Sequence, residues 1–465
     1  MTYRPWTVAS ALVIVAMPSI ASAQALTAQE AADLRAQLSA LKAQVERLEA
    51  RLDSTQQQVA TQLAPSATSA PVNVVAAAPA KPTTTIKWKG SPQFSLGSAS
   101  FKVKGRIQYD ASYLSVPKDV ADLSKGYSNE LRRLRLGGEG TLGGGFGYKL
   151  ETELSDNSID LVDTFITYER GKWLITLGNQ NEFQSLDELT GDTTGSVMER
   201  AAFTDAFAFE RRLGLSAQYR GKAVLVQGGI FSDSADSLTN SSDGVTGGDE
   251  NNSIGLDGRI VVMPKVGDMQ LHFGGSYHWR DFNRLAAAPV RYRQRPYIHS
   301  SNSRFLSTPA INATGERHYG FEVAGSQGRF SFAGEGHWLR SVRSGLSDPQ
   351  FFGAYAEVGY FLTKGDSRPL ADGIFGRTDP KNPVTAGGLG AVQLTLRYDY
   401  LDLNDGAIVG GTQNAYIAAL VWAPINYLRF NMNYAHLDYA DAAILADTRA
   451  DYGIDTVSLR AELDF

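Results

Sequence analysis

From residue 101 onward the chain alternates apolar and polar positions in segments of about ten residues. Phe101, Val103, Ile107 and Tyr109 fall on one face, with Lys102, Lys104, Arg106, Gln108 and Asp110 on the other. The final residues repeat the pattern: Val457, Leu459, Ala461, Leu463 and Phe465 stand against Ser458, Arg460, Glu462 and Asp464. A period of two is the signature of a strand whose faces meet different surroundings. Sixteen such segments can be placed, beginning near residues 101, 131, 145, 161, 172, 211, 223, 253, 269, 318, 328, 352, 390, 414, 427 and 456.

The connections alternate too. Gly143-Gly144-Gly145, Arg170-Gly171, Arg220-Gly221-Lys222, Ser326-Gln327-Gly328 and Pro424-Ile425 are tight, while residues 111–130, 180–210, 232–252, 281–317 and 439–455 are long and polar. Short turns on one side and long loops on the other describe a transmembrane barrel. One connection breaks the scheme, since residues 362–389 are long where parity expects a short turn. Either a strand pair is hidden there or that turn is unusual.

Beyond the amino terminus no stretch is long and apolar enough for a membrane helix. Strands that cross hydrocarbon must close on themselves, because an open edge leaves backbone groups unpaired. The expected fold is therefore all-β: a transmembrane antiparallel β-barrel of sixteen strands. A barrel of that size encloses water, which suits the polar faces. The alternation puts Lys102, Lys104, Arg106, Arg133, Arg135, Lys149, Arg212, Arg220, Arg280, Arg397 and Arg429 on the water-facing pore wall. Basic groups in a low-dielectric channel raise the local anion concentration. Glu139, Glu151, Glu153, Asp163 and Asp399 are interleaved with them, as any wet lumen allows.

Ahead of the barrel the pattern changes. Residues 1–23 read as a signal peptide, with Arg4, an apolar run and the small residues Ala21-Ser22-Ala23. Residues 24–63 carry a spacing of three and four, with a seam of Leu34, Leu38, Leu41, Val45, Leu48 and Leu52. This predicts a short coiled-coil helix of about four heptads. Residues 64–85 are Ala, Pro, Ser and Thr with one charge, a linker unable to build a core. The barrel domain then occupies residues 86–465.

Composition narrows the chemistry. A net charge of -5 gives no support to nucleic-acid binding, and the absence of cysteine excludes thiolate metal sites and disulfides. The six histidines, His272, His278, His299, His318, His337 and His436, show no ligand spacing, and no nucleophile elbow, P-loop or zincin motif is present. Neither a metal, a cofactor nor an enzymatic activity is expected.

Several segments resemble the phosphate-selective porin O and P family of outer-membrane porins. They are Asn129–Leu136 leading into the glycine-rich Gly138–Gly147, Met198-Glu199-Arg200-Ala201, and Leu396–Leu403 with Asp405. The most specific is Gly359–Pro369 with Arg377 and Pro380, which makes the long 362–389 connection a family feature. The resemblance implies a homotrimer of sixteen-stranded barrels in outer-membrane lipid, with lipopolysaccharide around it. Each pore would be narrowed by the third loop, and some members carry a periplasmic coiled coil.

The same resemblance puts the constriction on residues 180–210, where family prototypes are basic. Here that stretch carries Asp187, Glu188, Asp192 and Glu199 against Arg200. The loop thus reads as an acidic counterweight to the wall, as a cation filter, or as a segment pinned by a Glu199–Arg200 pair. The arginine-rich stretch 281–317 reads as an anion-steering vestibule or as a surface for lipopolysaccharide or a neighbouring subunit. The expected function is passive diffusion of small hydrophilic solutes or ions, with anions such as phosphate in view. The alternatives are a structural barrel tethering the membrane to periplasmic material, and a specific channel for organic anions or oligosaccharides.

Overall fold

The computed structural model describes residues 84–120, 125–155, 158–235, 253–282 and 289–465. The signal-peptide and coiled-coil readings, and all but the last two linker residues, lie outside them.

Sixteen strands form the wall. They are β1 (Ala99–Ser115), β2 (Gly126–Gly143), β3 (Phe146–Glu153), β4 (Asp160–Arg170), β5 (Trp173–Asn181), β6 (Arg211–Arg220), β7 (Val224–Phe231) and β8 (Ile254–Val262). The second half comprises β9 (Met269–Asp281), β10 (Gly315–Gln327), β11 (Phe330–Val342), β12 (Gln350–Phe361), β13 (Ala391–Asp402), β14 (Thr412–Ile425), β15 (Leu428–Ala440) and β16 (Tyr452–Asp464). Each pairs antiparallel with the next, and β16 returns to β1 in register from Asp455↔Ser115 to Asp464↔Arg106. Closure leaves no sheet edge, as a membrane requires. A hairpin of Thr85–Trp88 and Pro92–Leu96 pairs onto the first residues of β1.

Every expected segment start lies within five residues of a strand start. The outward face is apolar along its length, with Ile107, Leu136, Leu177, Leu215, Ile260, Phe321, Leu396 and Leu459 among its exposed residues. Aromatic pairs ring both ends. Phe146–Tyr168, Trp173–Tyr219 and Trp422–Phe430 sit near the short turns, while Tyr277–Tyr319, Trp338–Phe352 and Tyr398–Tyr416 sit toward the long loops. Amphipathic rings favour these positions at both faces of a bilayer.

The seam is completed by the last residue. Phe465 N–H donates to the Gly105 carbonyl at 2.9 Å, and Gly105 N–H donates back at 3.1 Å. The Phe465 ring lies over Gly105, where a Cβ would collide with it. Gly105→Leu is therefore expected to weaken closure by about 1–3 kcal/mol, the usual cost of overpacking. A lowered temperature for loss of the compact barrel band in gel electrophoresis would register it, and an unchanged one would contradict it.

Residues 362–390 hide no wall strands. They leave the turn end of β12, fold up into the barrel and hold two short pieces, Leu370–Ala371 and Ile374–Phe375, plus a single helical turn at Val384–Ala386. Arg368 is buried with its Nη1 2.7 Å from Glu357 of β12, and its guanidinium stacks on Phe375 at 3.7 Å. Gly373 takes a positive φ of 76° and presents its carbonyl to buried Arg259 of β8 at 2.7 Å.

The lumen departs from a uniformly wet channel. Inward positions of β11 and β12 include Ala333, Leu339 and Phe351, and those of β13 to β15 include Leu401, Ala415, Ile417, Ala435 and Leu437, all buried. They pack against Phe203 and Phe207 of the third loop (182–210) and Phe305 and Leu306 of the fifth (282–314). Alternation alone cannot show this, because an inward apolar residue looks like an outward one until a loop comes in to cover it.

Candidate functional site

The third loop enters the lumen because its sequence is suited to both a core and a charged wall. Its α1 turn (Leu186–Leu189) is capped by Ser185, whose Oγ accepts from Glu188 N–H at 3.2 Å. The free amides of Leu186 and Asp187 donate to the Glu335 carboxylate of β11 at 2.9 and 2.7 Å. An anion at a helix N-terminus satisfies orphan donors. The α2 turn (Ala202–Ala206) is held by Asp187, which accepts from Ala201 N–H at 2.8 Å, and by Asp399 of β13, which accepts from Ala202 N–H at 3.1 Å. The Cβ of Phe203 packs against Gly353 of β12, a close approach any side chain there would block, and the Phe203 ring stacks on His337 at 4.4 Å.

The loop's acids meet wall arginines one by one. Asp187 pairs with Arg397 at 3.0 Å, and Arg397 also reaches Glu357 at 2.7 Å. Asp192 is shared by Arg106 at 2.7 Å and Arg133 at 2.5 Å. Glu199 pairs with Arg460 at 2.6 Å and more distantly with Arg132 at 3.8 Å. Arg460 in turn makes a forked pair with Asp110, 2.7 Å on each arm. Arg429 donates to the Thr193 and Gly195 carbonyls. The expected Glu199–Arg200 pair does not form. Arg200 bonds instead within the loop, to Glu188 at 3.2 Å and to the carbonyls of Asp187, Glu188 and Thr190. A guanidinium has donors enough to gather several carbonyls of a bent segment.

Burial alone would raise the Asp192 carboxyl, but Arg133 and Arg106 outweigh it and hold it well below the usual carboxylate range. Glu199 is likewise pushed up by burial and pulled down further by Arg132 and Arg460, to about 2. A carboxylate depressed in the folded state stabilises above its unfolded value, about 4.3 for Glu, and that contribution is lost only as pH falls through the folded value. The contributions of Asp192 and Glu199 to loop docking are thus expected to persist from neutral pH to about pH 4, so that the conductance difference between wild type and Glu199→Gln stays constant over that range. A step in that difference between these limits would contradict it.

The remaining wall residues are distributed as follows. Lys104 pairs with Glu139, Arg135 with Glu153 and Glu151, and Lys149 with Asp163 and Glu151. Arg212 is buried between Glu182 and Glu210, and Arg280 pairs with Asp233. Lys102 faces inward near Lys104, whereas Arg220 is exposed at the turn end of β6. Sequence reasoning passed over Arg460, Glu357 and Arg368. The first two sit at inward positions of alternating strands, and Arg368 belongs to the Gly359–Pro369 segment, so each carried a signal.

The fifth loop folds inward as well. Tyr292, Tyr297, Ile298 and Ile311 are buried, His299 reaches Glu130 at 2.9 Å, and Arg295 N–H donates to Asp205 at 2.7 Å. Burial, with Arg295 and Arg293 nearby, lowers Arg304 to about 10. Arg317 falls in β10 rather than in the loop, and Arg284 is outside the described residues. A cleft of about 340 Å³ opens between the two loops and β2, lined by Arg132, Arg133, Arg200, Arg295 and His299 among others. From below, Phe375 N–H of the 362–390 connection meets Thr190 Oγ1 at 3.3 Å. The lumen is narrowed from both ends.

Comparison with known proteins identifies the family. Residues 101–465 match the family described as phosphate-selective porin O and P. The chain belongs to that family. It is 53% identical over 460 residues, 96% of this chain and 93% of the other, to an uncharacterized protein of Caulobacter vibrioides. Among solved structures it resembles a loop-deletion form of OmpT, an outer membrane protein of Vibrio cholerae. That likeness has a TM-score of 0.51 at 11% identity, over 79% of this chain and 100% of that one. OprB of Pseudomonas putida gives 0.50 at 10% identity, over 78% and 94%. At such identity the structures speak for the fold.

The protein is thus an outer-membrane porin, a passive channel. The long loops are extracellular and the short turns periplasmic.

Linear spacing of the histidines misleads at one place. Register sets Asp257 of β8, His278 of β9 and His318 of β10 in one row across the wall. Glu316 stands two residues from His318, and Glu182 reaches in from the root of the third loop.

Proposed function

We propose that this porin conducts small ions with a modest preference for anions, phosphate among them. The carrying observation is the Asp192 cluster, where one carboxylate answers two guanidiniums and leaves a positive charge beside the constricting loop. Exposure adds to it in part. The side chains of Lys149, Arg200 and Arg211 are 21%, 27% and 26% exposed, against 7%, 9% and 17% for the paired Glu151, Glu188 and Asp163. The carboxylate is the more exposed partner at Arg135–Glu153, Arg132–Glu199 and Arg212–Glu210, with 16%, 21% and 46% against 10%, 15% and 5%. The same order holds near the periplasmic mouth at Lys104–Glu139, which keeps the preference modest.

An acidic cation filter is less well supported, because Asp187, Asp192 and Glu199 are each neutralised by wall arginines. The filled lumen favours ions over oligosaccharides. In this reading the channel works without covalent chemistry. It assembles as a homotrimer in lipid and lipopolysaccharide, with residues 24–63 as a periplasmic coiled coil.

The test is the reversal potential of purified protein in planar bilayers under a salt gradient, followed by addition of phosphate. Anion-leaning selectivity with partial block by phosphate is expected. Cation-leaning selectivity would overturn the anion reading, and folded protein without channel steps would favour a structural tether.

A further inference from the structure

The inward wall of β8, β9 and β10 carries a buried histidine–carboxylate cluster that the channel does not need. His278 and His318 are directly opposed across the β9–β10 pair, with rings 4.7 Å apart. His278 Nε2 stands 3.6 Å from one Glu316 oxygen, and His318 Nε2 stands 3.6 Å from the other. Those separations exceed hydrogen-bond reach. Among the described residues His278 Nε2 and both ring nitrogens of His318 find no hydrogen-bond partner, although both residues are buried. Unpaired buried polar atoms are costly and call for an explanation.

A metal ion supplies one. Zn–N and Zn–O bonds of about 2.0–2.2 Å put neighbouring tetrahedral ligand atoms about 3.3–3.6 Å apart. The donor atoms of His278, His318 and Glu316 lie within 4.8 Å of one another. The surrounding shell is also suited. Asp257 Oδ1 is 2.9 Å from His278 Nδ1, so a proton on Nδ1 leaves the Nε2 lone pair aimed at the gap. Such carboxylate–histidine pairing orients metal-bound imidazoles. Phe207 and Phe209 of the third loop pack on the His318 ring and screen it from water.

We propose that His278, His318 and Glu316 bind one first-row divalent cation of the zinc class, with Asp257 as a positioning residue. Two imidazoles and a carboxylate suit zinc, cobalt or nickel better than calcium or magnesium. The ion would join β9 to β10 beneath the third loop and so stiffen the wall on which that loop rests. Its place is structural, away from the Asp192 cluster, so ion selectivity and metal content can be tested separately.

The experiment refolds full-length protein in detergent with Co²⁺ or Zn²⁺, dialyses it against a weak chelator and measures metal by mass spectrometry. About one ion per chain is expected, with the intense visible absorption of tetrahedral Co²⁺. Glu316→Gln and His318→Gln should retain at least tenfold less. Asp257→Asn should weaken retention by about ten- to a hundredfold. His436→Gln, at the exposed β15 surface, should match the wild type. The absorption spectrum of unmutated protein stands even where a variant fails to fold. Less than about a tenth of an equivalent retained, octahedral absorption only, or full retention by both Glu316→Gln and His318→Gln would overturn the proposal.

Discussion

Replacing Arg397 by Met is expected to lower barrel stability by about 3–5 kcal/mol and to raise single-channel conductance. Arg397 is almost fully buried and holds two carboxylates at once, Glu357 of its neighbouring strand and Asp187 of the third loop. Its guanidinium also lies 4.2 Å over the Tyr355 ring. Removing one partner of a buried ion pair leaves the other charge uncompensated, which costs far more than the pair contributes. Glu357 keeps Arg368 and Ser196, so the damage falls mainly on Asp187. Asp187 also caps α2 through Ala201 N–H. Releasing it unfastens the loop at its centre. Conductance should rise because the loop then moves away from the wall, and noise should rise with it. The double variant Arg397→Met with Asp187→Asn should recover part of the stability while conductance stays high. A lone Arg397→Met channel with wild-type conductance and thermal resistance would show that apolar packing by Phe203 holds the loop unaided.

Much of this architecture was legible in the sequence, and the reason is that a membrane leaves few options. Each strand must alternate, each turn must be short on one side, and the sheet must close. Val457 to Phe465 therefore announced a wall strand without any knowledge of its neighbours. What stayed hidden was everything set by register or by loops folding inward. His278 and His318 lie forty residues apart in sequence and become neighbours only because β9 and β10 pair at that register. Ile417 and Leu437 could not be separated from lipid-facing residues until the third and fifth loops were seen to cover them. The acidic residues of the constriction loop were visible, but their meaning was not. Asp192 reads as a cation-attracting group in isolation and as a counterion once Arg106 and Arg133 stand against it.

That cluster yields the second large effect, a pair of opposite shifts in selectivity. Asp192→Asn should move the reversal potential toward stronger anion preference, because two guanidiniums would remain at the loop with no carboxylate between them. Arg133→Gln should move it the other way. It removes the surplus charge and leaves Asp192 matched by Arg106 alone. Arg106→Gln should act in the same sense, since Arg106 is the other counterion of Asp192. In a narrow passage with low-dielectric walls, one uncompensated charge is worth several-fold in the local concentration of permeating ions. High salt screens that effect, with a Debye length of about 3 Å at 1 M against about 10 Å at 0.1 M. The shifts should therefore shrink as ionic strength rises, whereas any change in pore width would persist. Matched conductance measurements at both salt concentrations separate charge from geometry. If Arg133→Gln leaves the permeability ratio unchanged at low salt, the permeating ions do not pass beside Asp192.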